Sequence, residues 1–146
     1  MALNNSINAP YVGVTSITPV LTCGTPGDLS VSYAVQKGYS VEIGSIYLVT
    51  ISLTCTPTFT TASGSIRITG FTPTNTNIDQ FGSVYLGSFA SLGTTPASIS
   101  LWRQSSTNYF QLLTTNVGSG TVLQMNNLTT GVQIQIEASM SFFTTT

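Results

Sequence analysis

The chain has 146 residues, enough for one domain with a real core, yet only 5% are charged against 41% apolar, and the formal net charge is −1. Soluble domains carry about 25% charged residues, so polarity here rests on Ser, Thr, Asn and Gln. Three scattered basic residues, Lys37, Arg67 and Arg103, rule out a phosphate-tracking nucleic-acid binder. The longest wholly apolar run, Ile46 to Val49, falls far short of the ~20 residues of a spanning helix, so no membrane is expected.

Residues 1–17 are rich in Asn, Ser and Thr, with apolar residues spaced at Leu3, Ile7, Tyr11, Val12, Val14 and Ile17. Two readings stand: a loose terminus, or an extended arm that docks on a neighbouring subunit. The first residues have neither a basic region nor an apolar stretch of a secretory signal, which predicts synthesis in a cytoplasm.

From residue 18 onward the period is two. Val31, Tyr33 and Val35 alternate with polar or small residues, as do Tyr39, Val41 and Ile43, then Ile66 and Ile68, then Ile99 and Leu101. The last run is Val132, Ile134, Ile136, Ala138 and Met140. Each predicts a strand with one buried and one wet face. Ile46 to Leu53 is more continuously apolar, the pattern of a strand covered on both faces. Weaker strand signals fall at 18–22, 84–89, 109–113 and 121–125. Turn clusters such as Cys23-Gly-Thr-Pro-Gly-Asp28, Thr72-Pro-Thr-Asn-Thr-Asn77, Gly93-Thr-Thr-Pro96 and Gly118-Ser-Gly120 separate them. The pattern predicts one antiparallel β-sandwich, jelly-roll-like, of nine or ten short strands over residues 18–146.

Catalytic machinery is missing by composition. There is no histidine, hence no Ser-His or Cys-His pair and no imidazole for acid–base work near neutral pH. The four carboxylates, Asp28, Glu42, Asp79 and Glu137, show no pairing in sequence. No enzyme, metal or cofactor is expected. Cys23 and Cys55 read as buried thiols, a cross-strand disulfide being the alternative.

The aromatic residues fall mostly at strand positions and read first as core or subunit packing. The place for an exposed ligand-stacking platform is Trp102 with Tyr109, which flank the polar stretch Arg103-Gln-Ser-Ser-Thr-Asn108. That stretch reads as a hairpin tip, where recognition residues concentrate. Trp102, Arg103, Asn108 and Tyr109 are therefore the candidate receptor patch.

Thr18-Pro-Val-Leu21, Val31-Ser-Tyr-Ala-Val-Gln-Lys-Gly-Tyr39, Ile43-Gly44 and Gly64-Ser-Ile-Arg-Ile-Thr-Gly70, in that order, resemble a β-module in the C-terminal parts of bacteriophage tail-fibre proteins. The resemblance covers about residues 18–73 and, loosely, 131–143. Departures are Glu42, where the module carries a basic or small polar residue, and Phe71-Thr-Pro73, where the module has a proline close behind the final glycine. A fibre shaft would precede such a module, whereas Met1 stands close before it. The resemblance implies a virion protein, usually trimeric. The free-standing form predicts a capsid decoration (cement) protein: a homotrimer joined to the major capsid protein, with residues 1–17 as its arm. The alternative is a tail- or head-fibre protein that recognises a host surface glycan or protein.

Overall fold

The computed structural model describes residues 12–71, 78–87, 98–116 and 119–143. Ten strands occur among them: β1 Val12–Ile17, β2 Val20–Thr25, β3 Ser30–Ile43, β4 Ile46–Thr58, β5 Ser63–Thr69, β6 Gln80–Gly87, β7 Ser98–Arg103, β8 Phe110–Asn116, β9 Ser119–Val122 and β10 Ile134–Phe143. The only helical element among the described residues is a 3-10 turn, Met125–Asn127. Every ladder is antiparallel.

The strands form one sheet in the order β1-β3-β4-β10-β6-β7-β8-β5-β2, with β9 paired to β8 beyond β5. The expected all-β antiparallel fold is present. It takes the form of one sheet curled into a half-barrel rather than the two separate sheets of a sandwich. The inner face holds the core. On β4, Tyr47, Val49, Ile51, Leu53 and Cys55 are buried, and on β10, Ile134, Ile136, Ala138, Met140 and Phe142. Leu21, Ile66, Ile68, Leu101, Phe110 and Leu112 meet them from the opposite arc of the sheet. Burying each large aliphatic side chain stabilises the fold by roughly 1.5–3 kcal/mol. An aromatic column crosses this core: Phe71 stacks on Phe110 with centroids 4.0 Å apart, and Phe142 lies 6.5 Å from Phe110 and 5.0 Å from Tyr47.

Side chains rather than a ladder close the curl. β2 is the last strand, and its free edge approaches the inner face of β3. The Leu21 N–H donates to Tyr33 Oη at 2.9 Å, and Gln36 Nε2 donates to the Pro19 carbonyl at 3.1 Å. Backbone groups that would otherwise be stranded at a buried edge are thus satisfied. Nearby, Gly70 sits at φ 96°, and a Cβ there would lie 2.0 Å from the Thr18 carbonyl. Only glycine permits the two segments to touch.

Three sequence expectations change. Val12–Ile17, read as the end of an arm, form β1 and pair with β3 from Val12↔Ile43 to Ile17↔Gly38. Ile17 packs on the core in space that a Cβ on Gly38 would occupy, since it would fall 2.7 Å from Ile17 Cγ1. Not all strands are short. β3 and β4 have 14 and 13 residues, and the positive φ of Gly44, 58°, makes the two-residue loop between them.

The third change concerns β3. Its apolar residues occupy odd positions throughout, but Tyr33 pairs with Cys55 while Val35 pairs with Thr54. Ala34 is a bulge, and the extra residue moves every later odd position to the other face. Val31 and Tyr33 point to the core, whereas Tyr39, Val41 and Ile43 point outward.

Candidate functional site

The bulge gives the outer face of β1-β3-β4-β10-β6 an unusual content. Tyr39 is 55% exposed there, Tyr85 62% and Phe143 65%, and Val14, Ile46, Leu48 and Phe81 are exposed beside them. Of the exposed large apolar residues among those described, only Val20 and Ile78 lie elsewhere. The registers place the seven together. Val14 lies opposite Val41 and Leu48 follows; Ile43, Ile46 and Phe143 form a second row.

Between these knobs the surface is hydroxylic. Thr50, Ser139 and Ser83 lie opposite one another on β4, β10 and β6, and the Ser83 and Ser139 hydroxyls hydrogen-bond at 2.9 Å. Two shallow depressions flank this row. One, of about 330 Å³, is bordered by Thr50, Tyr85 and Glu137. The other, of about 450 Å³, is bordered by Leu48, Phe81 and Ser141.

Charge on this face is confined to Lys37 and Glu137, which flank Ser52 across the ladders. Glu137 Oε1 accepts from Ser52 Oγ at 2.8 Å and from Gln135 Nε2 at 3.4 Å. The face is apolar, hydroxyl-rich and close to neutral. Desolvating hydroxyls costs far less than desolvating charges.

A second feature continues from Phe81 around the curl. One ladder row runs Phe81, Trp102, Gln111, Arg67, Thr22 across β6, β7, β8, β5 and β2. Three of its polar atoms are buried without a hydrogen-bond partner: Trp102 Nε1, Gln111 Oε1 and Arg67 Nε. The Arg67 guanidinium lies over the Tyr109 ring, 4.3 Å from its centroid.

The candidate receptor patch is therefore brought together only in part. Trp102 and Tyr109 are half-buried and Asn108 is exposed at the hairpin tip. Arg103 is not at the surface: it is 1% exposed on the inner face. Its Nε and Nη2 donate to the Thr107 carbonyl at 3.2 and 2.9 Å, and its guanidinium lies 4.9 Å from the Phe142 ring centroid. Burial lowers its pKa. Position parity carries the correction, since neighbours on one strand face opposite ways. With Trp102 outward, Arg103 must point in, and Arg67 from β5 supplies the cation instead.

Of the arm residues, Leu3, Ile7 and Tyr11 lie outside the described residues. Val12, Val14 and Ile17 are in β1, with Val14 on the outer face and Ile17 against the core. Cys23 and Cys55 are free and buried, and burial pushes the Cys55 thiol up to about 11. Among the described residues no group of three or more His, Cys, Asp or Glu could hold a metal. Asp28 ties the turn before β3 to the β4–β5 connection, its carboxylate accepting from the N–H groups of Thr60, Thr61 and Ala62.

No family model, curated protein or solved structure matches this chain.

Proposed function

We propose that the chain is a non-enzymatic structural subunit of a virus particle, a homotrimer that decorates the outside of a phage capsid. The observation that carries the assembly part is the outer face of β1-β3-β4-β10-β6. Large apolar patches on soluble proteins mark interaction surfaces, and this one gathers seven exposed large side chains. The occupant is a second copy of the same chain. The face is nearly neutral, with one Lys and one Glu, so copies meet without like-charge repulsion. β4 supports this reading from the sequence side, because its run of apolar residues on both faces is matched by cover on only one within the subunit.

The virion context draws on the tail-fibre-like order of motifs in residues 18–73, and on a composition suited to permanent neighbours rather than to free solution. Low charge leaves little to keep copies apart, and many weak contacts at fixed sites on a shell add by avidity.

The test has two arms. Sedimentation equilibrium of the purified chain should give a trimer at micromolar concentration. Particles of the encoding virus, run on a quantitative gel, should contain the chain in hundreds of copies against the major shell protein. A monomer in the first, or no band in the second, sinks the proposal; tens of copies would move the chain to a fibre.

A further inference from the structure

The geometry points to a saccharide-binding site on the outer surface of β5, β7 and β8, built from Trp102, Gln111, Arg67 and Tyr109. It adjoins the assembly face at Phe81 but uses none of the residues of that face and does not depend on it.

A buried polar group without a partner is costly, and native structures hold few of them. Here three sit on one ladder row, on adjacent strands: Trp102 Nε1, Gln111 Oε1 and Arg67 Nε. Directly opposed residues in a sheet bring their Cβ atoms to roughly 4.5–5.5 Å, so the three groups converge on one small volume. Gln111 is 6% exposed, a polar side chain held almost wholly inside with its acceptor unused.

The chemistry of the set is two donors and one acceptor beside aromatic rings. Indole N–H and guanidinium N–H can only donate, and the amide oxygen can only accept. A sugar hydroxyl does both. Pyranose rings also present an apolar C–H face that stacks on indole or phenol, and the site includes both, Trp102 and Tyr109. A purely apolar ligand would leave all three polar atoms unpaired. A phosphate could use the donors but would set its oxygens against the Gln111 acceptor.

Trp102, Arg67 and Tyr109 are each half-buried rather than buried. Arg67 is stacked on Tyr109, and its long flexible stem can swing aside to admit a ring and then donate to it. The site thus differs from the hairpin-tip patch expected from sequence: it lies on the strands, where rigid elements hold the groups in place.

The test uses the intact chain, in which Trp102 is the only tryptophan and so reports on this site alone. Its emission is titrated with neutral pyranoses (glucose, galactose, N-acetylglucosamine) and carboxylated ones (glucuronic acid, N-acetylneuraminic acid). The two arms distinguish whether Arg67 reads a hydroxyl or a carboxylate. A saturable shift with at least one sugar, lost in Gln111→Leu and in Arg67→Ala, is expected. A flat response to every member overturns the proposal. Thermal melting of Gln111→Leu decides independently of the panel. If the acceptor waits for a ligand, removing it leaves the melting temperature equal or higher. A clear drop would mean that Gln111 is satisfied inside the free protein, by an ordered water only, and the site would be withdrawn. Because trimer formation and sugar binding read different residues, either can fail while the other stands.

Discussion

Changing Tyr39, Tyr85 and Phe143 together to Ser tests the assembly face directly. The three are 55, 62 and 65% exposed in the isolated subunit, so a little over half of each side chain remains to be covered by a partner. Full burial of a large apolar side chain is worth roughly 1.5–3 kcal/mol. The uncovered fraction of each then contributes about 1–2 kcal/mol, and the three about 3–5 kcal/mol per subunit if fully covered. At about 1.4 kcal/mol per tenfold, the dissociation constant of a subunit should rise by about two to three and a half orders of magnitude. The fold should hardly notice, because exposed substitutions away from special features stay within about 0.5 kcal/mol. Sedimentation equilibrium would follow association, and far-UV circular dichroism of the dissociated variant would confirm its strands. A variant that associates as tightly as the parent would refute the reasoning and send the search for the contact surface elsewhere.

Three further outcomes follow from local geometry. Gly70→Ala places a Cβ 2.0 Å from the Thr18 carbonyl at φ 96°, so a loss of about 3 kcal/mol or more is expected in urea unfolding. Hydrogen bonds from the Thr60 hydroxyl and from the Thr61 and Thr60 N–H groups hold the Asp28 carboxyl well below its ordinary value of 3.8. Its folded pKa is depressed, so its contribution is present above that ordinary value and is lost as pH falls through the range beneath it. Asp28→Asn should lower the melting temperature at neutral pH and flatten the acid side of the melting profile. Deleting residues 1–17 should lower the melting temperature, because β1 pairs with Gly38–Ile43 of β3 and Ile17 packs on the core; an unchanged melt would return β1 to the role of a dispensable arm.

The strands were largely legible in the sequence because alternation reports faces, and β5, β7 and β10 follow from theirs; β4, read from its continuous apolar run as covered on both faces, buries only one within the subunit, with Ile46 and Leu48 exposed. β1 was not: Val12, Val14 and Ile17 do not share one face, so no period of two shows. The face that β3 presents was misleading for a different reason. Alternation says that odd positions agree with each other, but not where an extra residue reverses them, and nothing about Ala34 marks a bulge in sequence. The row of Trp102, Gln111 and Arg67 was half visible. Trp102 was found from its ring, but Gln111 and Arg67 join it only through the pairing of β7, β8 and β5, strands that are distant in sequence. A parity argument on Trp102 and Arg103 could have shown that both cannot face a ligand.

The bulge at Ala34 makes the reading of β3 depend on chain length as much as on composition. Loss of that single codon would only straighten the ladder, since Val35 would then follow Tyr33 opposite Thr54 and Cys55 with every face kept. One residue inserted between Val35 and Tyr39 would instead turn either Val31 and Tyr33 outward or Tyr39, Val41 and Ile43 inward. Either outcome would cost the protein part of its core or part of its adhesive surface. Substitutions along the strand can adjust that surface one side chain at a time. An inserted residue acts on half of the strand at once, so a genetic lineage carrying this sheet should tolerate replacement in β3, and loss of Ala34 itself, far better than insertion.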